Sequence, residues 1–247
     1  MPAPARAIGS RLVSVKAELK GHEFDLEALV QLFPSGPIRV IRENGDYYML
    51  ADEIDNRPQR EQYYEVAPTI LSTVNGLARV ADPAFQPVVL SGSYVEGERR
   101  HVVVQAESVN VRVRVNAAGV LVTSSDGVVQ APPLPPSPRR AATAATHPDV
   151  SEALLIMSQP TALGWGELYK VFEIVRESLR PSTIDKAGLA KTRDLNAFRA
   201  SANRPDLSGA DARHARMSGE PPTHHMSLPQ GRRFISALVQ NWIDSLG

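Results

Sequence analysis

QAPPLPPSPRRAATAATHP, residues 130–148, is the stretch that divides the chain. Five prolines fall between positions 132 and 138, and a run of small residues follows. Proline fixes φ and lacks a backbone donor, so such a run suits neither a central strand nor a helix interior. The composition predicts an extended spacer over 124–147, rising roughly 3.1 Å per residue where it is polyproline II. The same run would suit a ligand of SH3-like or WW-like domains. Such domains are chiefly eukaryotic, and nothing else in the chain looks eukaryotic, so the spacer is the preferred reading.

Upstream of this run the hydrophobic period is two. In RLVSVKAEL, Val13, Val15, Ala17 and Leu19 fall on one side, and Ser14, Lys16 and Glu18 on the other. That alternation marks a half-buried strand. VNVRVRV (109–115) repeats it, with Arg112 and Arg114 outward. PIRVIRE, DYYMLA, PVVLSGSYV and RHVVVQA read as further short strands. Asn44-Gly45 favours the turn that matches strand twist, which predicts a hairpin over 38–51, and EGERR (96–100) predicts a second. DLEALVQLF predicts a helix capped by Asp25, with Leu26, Leu29, Val30 and Phe33 on one stripe. QREQYYEVAPTILSTVNGLARV predicts a longer one that buries Tyr63, Val66, Ile70, Val74 and Leu77. Pro68 should start or kink that helix, and Gly76 should weaken its last turn. Of the pairs Tyr47/Tyr48 and Tyr63/Tyr64, one member each should be core and the other exposed.

Downstream the period becomes 3.6. GELYKVFEIVRESL sets Leu168, Phe172, Val175 and Leu179 in an apolar seam. SLPQGRRFISALVQNWIDSL opens with Ser227 and Gln230 spaced as a capping box, and its face of Phe234, Leu238 and Trp242 should meet that seam. The expected class is therefore α+β. Residues 1–123 form a mainly antiparallel sheet with two helices, 124–147 a linker, and 148–247 an all-helical domain.

Length and composition set outer bounds. The chain has 247 residues, 43% hydrophobic and 22% charged, as in ordinary globular proteins. Lys plus Arg and Asp plus Glu are 27 each, so no uniformly basic surface for nucleic acid is expected. The absence of cysteine excludes disulfides, thiolate zinc sites and cysteine nucleophiles. No apolar run reads as a signal peptide or a membrane span, so the expected setting is the cytoplasm, with no membrane partner. Phosphate-loop, dinucleotide, zincin and nucleophile-elbow motifs are absent, and no cofactor is implied.

DARHARMSGEPPTHHMSL (211–228) is the densest polar cluster. Its metal reading uses His214, His224 and His225 with Asp211 or Glu220. Adjacent histidines diverge, however, so no metal site is expected. From Lys191 to Arg216 there are six basic and three acidic residues, an excess of +3. Arg199, Arg204, Arg213 and Arg216 are thus the candidate phosphate or nucleic-acid contacts. Histidine moves protons near neutral pH, which makes His214 the catalytic candidate of an enzymatic reading. The structural reading gives the stretch other work. An arginine at a helix end bonds carbonyls, a histidine packs between helices, and Pro221-Pro222 stiffens the crossing to the last helix.

Two resemblances bear on this region. ARHA (212–215), the Pro-Pro pair and a final amphipathic helix with Trp242 resemble the C-terminal end of an uncharacterised bacterial protein family. That resemblance covers about the last fifty residues and implies no activity. A compact helical domain of this size also resembles HEPN ribonucleases, which carry an arginine, four to six residues, then a histidine at a dimer interface. It implies a helical bundle and a dimer. Arg204 and His214 have nine residues between them and Arg216 and His224 have seven; only Arg140 and His147, with six, fit the spacing. The preferred expectation is a non-enzymatic binding or interaction protein that pairs with itself or a protein partner through the helical part. The alternative is an RNA-acting, HEPN-like enzyme, of the kind found in bacterial defence. There His214 would carry the proton, and Arg213 and Arg216 would hold phosphate.

Overall fold

The structure, a computed structural model, describes residues 14–56, 63–103, 138–217 and 219–247. The strand expected at 109–115 and positions 124–137 of the expected linker lie outside these residues.

The Asn-Gly turn forms as its residue types require. Asn44 and Gly45 take φ of 53° and 89°, joining β2 (Ile38–Glu43) to β3 (Asp46–Ala51) with Glu43 opposite Asp46. β1 (Val15–Lys20) pairs antiparallel with β3 on one side and with β4 (Val89–Glu96) on the other. A tight turn at Gly97 returns the chain from β4 to β5 (Arg99–Val102). The order is β2-β3-β1-β4-β5, antiparallel throughout. The molecule is α+β, a five-stranded sheet with early helices followed by a mainly helical region.

One face of the sheet is core, and the period-two residues Val15, Ala17 and Leu19 lie in it with Val40, Met49 and Tyr94. Helices α1 (Glu23–Leu32) and α3 (Tyr63–Ala81) pack in the same core. Between β3 and α3 runs a single unanticipated turn of helix, α2 (Asp52–Asp55). Its Asp55 accepts from the Ser14 hydroxyl at 2.5 Å and the Val15 N–H at 2.9 Å, which fixes where β1 begins.

Three local expectations are corrected. Asp25 does not cap α1; the N-cap position is His22, which makes no side-chain cap hydrogen bond. The helix starts two residues before Asp25, which is buried and accepts from the Gln86 N–H at 2.9 Å. Tyr48 is buried like Tyr47, and Lys16 lies over its ring, 5.7 Å from the centroid. Pro68 does not start α3 but lies within it.

The helical half holds α4 (Pro138–Thr146), α5 (Pro148–Met157), α6 (Trp165–Ser178), α7 (Thr192–Asn203), the short α8 (Pro205–Ser208) and α9 (Leu228–Leu246). Helix α4 corrects the spacer expectation for 138–146. Pro138 is its first residue, where the missing N–H has no intrahelical partner to lose. The alanine-rich run that follows favours helix. Ala144 is in the core, and Arg140 pairs with Asp244 of α9 through both oxygens at 2.6 and 2.7 Å.

The sheet half and the helical half meet along α3. A side chain at Gly76 would lie 2.6 Å from the Leu154 carbonyl oxygen of α5, so glycine here permits the approach of two helices. Ser236 of α9 donates to the Arg79 carbonyl at 3.1 Å. Helix α9 begins with the expected capping box, Ser227 with Gln230, and buries Ile235, Leu238 and Trp242. It packs on α6, as its pattern predicts, and also on α3.

Candidate functional site

Residues 212–226 cross from α8 to α9 over the surface of α7, and two arginines fasten this crossing. Arg204, immediately after α7, is only 6% exposed. Its guanidinium grips the Asp206 carboxylate at 3.0 and 2.8 Å and donates to the Gly219 carbonyl at 2.5 Å. The hydrogen bond to Asp206 pushes its pKa up still further. The carbonyl contact matches the structural expectation for an arginine at a helix end. Arg213 donates its backbone N–H to Ala202 at 2.8 Å and sits 4.1 Å over the Tyr169 ring of α6. Its Nη1 also reaches Asn203 at 3.3 Å, and Glu173 lies 3.9 Å away. Further on, Met226 donates its N–H to Ser201 Oγ at 2.7 Å. His224 lies between Arg193 (3.4 Å) and Asp194 (3.7 Å) at the start of α7.

Between these fastenings stands a tip. His214, Ala215, Arg216 and Met217 are all exposed. His214 and Arg216 make no hydrogen bond or ion pair among the described residues. His214 therefore does not pack between helices, as the structural reading expected; its neighbour Arg213 holds the loop and leaves it outside. Arg199 is exposed on α7. The five candidate residues thus separate by role. Arg204 and Arg213 are committed to the protein's own groups, while the side chains of His214, Arg216 and Arg199 make no hydrogen bond or ion pair among the described residues. Of the one pair with HEPN spacing, Arg140 is held by Asp244, while His147 stands at the N-cap position of α5 with no side-chain cap hydrogen bond. No group of three potential metal ligands occurs among the described residues.

Sequence reasoning missed the polar anchors of the core. Arg79, near the end of α3, donates to the carbonyls of Phe85 (3.3 Å), Met157 (2.9 Å) and Gln159 (2.7 Å). Burial, with Arg232 nearby, lowers its pKa to about 10. Arg232 of α9 holds the same α5–α6 connection, donating to the Leu163 carbonyl at 2.8 Å. The Asn75 side chain pairs with both main-chain groups of Val88, at 2.9 and 3.1 Å. No local sequence signal separates Arg79 from a surface arginine, because its acceptors come from distant loops.

Three of the open clefts among the described residues are larger than about 500 Å³. One of about 670 Å³ lies between the start of α7 and α9, with Lys191, Asp194 and Phe234 in its walls. Another, of about 530 Å³, separates α3 from α4 and α5 and holds Glu53, Glu152 and Leu155. The third, of about 620 Å³, runs between α3 and the first half of β4. No described helix is long and apolar enough to cross a membrane. No family model matches the chain, nor does any curated protein or solved structure.

Proposed function

We propose that the protein works by binding a protein partner, and that the tip His214–Met217 makes the contact. One observation carries this reading: Arg213 holds one end of the tip and Arg204, through Gly219, the other, while the side chains of His214, Ala215, Arg216 and Met217 face solvent. A surface loop with closely held ends is a common recognition element. Holding the ends in advance lowers the ordering cost of binding. The tip offers an imidazole, a guanidinium and a thioether 47% exposed at Met217. That set suits a partner surface with carboxylates around an apolar notch.

RNA handling is the second reading, favoured by the exposure of Arg199, His214 and Arg216. The deciding experiment is affinity capture from cells of the source organism, with and without nuclease. Wild type is compared with His214→Ser/Arg216→Ser/Met217→Ser, whose thermal unfolding should match wild type. The binding reading expects a captured protein that survives nuclease and disappears with the triple variant. An unchanged capture profile removes the tip from the contact. Capture that vanishes with nuclease moves the assignment to RNA, where binding should also weaken steeply with salt.

A further inference from the structure

We propose that the third cleft, between α3 and β4, is a binding site for an uncharged, mainly apolar small molecule. The proposal is independent of the loop tip. Two features of β4 shape the described part of this cleft. β5 pairs only with Ser93–Glu96, so the first half of β4, Val89–Gly92, has no strand on that side among the described residues. Between Ala17 and Leu19 of β1 the register on β4 jumps from Tyr94 to Leu90, so β4 bulges there. Gly92, at φ 82°, lets the Val103 N–H reach its carbonyl oxygen at 2.9 Å, which brings Val103 into the wall.

The chemistry of the wall defines the ligand. No described residue that lines the cleft is charged. Its floor includes the buried Leu71, Val88 and Tyr94, and its lips carry Val89, 56% exposed, and Val102, 69% exposed. Four of its polar side chains are already satisfied by the protein. Asn75 bonds Val88, Ser72 bonds the Pro68 carbonyl, Ser158 bonds the Leu155 carbonyl, and Ser91 Oγ accepts from the Ser93 N–H. Water there keeps main-chain partners along the open edge of β4, so the ligand that best displaces it is mainly apolar with an uncharged polar group for that edge. A charged ligand would lose its hydration and meet no counter-charge. About 620 Å³ also falls in the size range of small-molecule sites. Neither of the other two clefts has this character, since each has carboxylates in its walls.

The test titrates the full chain with N-phenyl-1-naphthylamine, a neutral apolar fluorophore. Saturable one-to-one binding is expected, displaced by dodecanol and at least about tenfold less well by dodecanoate. Val89→Asp should weaken the probe by about tenfold or more while thermal unfolding stays as in wild type. Val102→Ser, on the opposite lip, should weaken it too, which keeps the test decisive if Val89→Asp fails to fold. Leu155→Asp, in the neighbouring cleft, should bind as wild type does. The proposal is overturned by equal binding to the Val89 and Val102 variants, by equal loss in Leu155→Asp, or by displacement indifferent to charge. A cleft already filled by protein, from this chain or a second copy, takes up no probe, and that result overturns it as well.

Discussion

Two carboxylates in the sheet half are pushed in opposite directions. Burial raises the Asp25 carboxyl above its ordinary range, although the Gln86 N–H donates to it. Burial also acts upward on Glu18, but Lys20 at 2.6 Å and Arg100 at 3.5 Å outweigh it and the net shift is down. Folded Asp25 therefore holds its proton more readily than the unfolded chain does, and the stability it contributes is lost as pH rises from about 3.8 through its folded value. Glu18 has the reverse sign: its contribution is present above the unfolded value and lost as pH falls through the folded one. Asp25→Asn keeps an acceptor for Gln86 and removes the titration. Relative to wild type, the variant should gain stability between about pH 3 and pH 7, as read by urea unfolding. Because Glu18 is present in both proteins, a pH-independent difference would mean that Asp25 does not titrate as described. Trp242, 1% exposed, gives a larger effect: Trp242→Ala should cost about 3–5 kcal/mol. On the loop, Arg204→Ala should cost about 1–3 kcal/mol by stripping donors from Asp206 and Gly219. Arg216→Ala should change stability by no more than about 0.5 kcal/mol. Equal losses in the two arginine variants, measured by thermal unfolding, would contradict the division between holding and presented residues.

At the scale of elements, Gly76 is the position where two helices depend on one missing side chain. Gly76→Ala gains about 0.5–1 kcal/mol of helix propensity, yet its methyl meets the Leu154 backbone at 2.6 Å. Backbone does not yield as a flexible side chain does, so a net loss of about 1–3 kcal/mol is expected in denaturant unfolding. A stabilised variant would show that α3 and α5 can separate without penalty. The sequence pattern alone treats this glycine as a weak last turn, because periodicity reports which face is buried and not how near the neighbour lies. The same distinction separates what was legible from what was not. The strands with β1's alternation, the Asn44-Gly45 hairpin and the Ser227–Gln230 capping box follow from local residue order. Helix α4 was hidden by its prolines, since Pro138 at a first turn and prolines in a spacer look alike until Arg140 is seen to meet Asp244. Of the loop residues, the polarity was legible, but the roles were not. Arg204 and Arg216 differ only in whether Asp206 and Gly219 stand opposite, which is a tertiary fact.

For the whole molecule, the consequential surface is that of α3, which the sheet half and the helical half share. A specific protease site introduced between residues 130 and 137 should yield two fragments that still co-elute on size exclusion. They should also unfold in one transition, since Gly76–Leu154, Arg79–Met157 and Arg79–Ser236 all cross the cut. Separate elution would mean that each half is stable alone. The Ser236–Arg79 bond spans 157 residues of chain. At a synthesis rate of about 5–20 residues per second, Arg79 leaves the ribosome roughly 8–30 s before its partner. Throughout that interval the sheet half exists without α9, and for the first part without α5. Its arginine has no Met157 or Gln159 carbonyl to bond, and the helix face around Gly76 is open to water. A nascent chain of this design presents a temporary sticky surface to holding chaperones, on a clock set by translation. Slowing the ribosome between codons 81 and 228 would lengthen that exposure without altering a single residue of the finished fold.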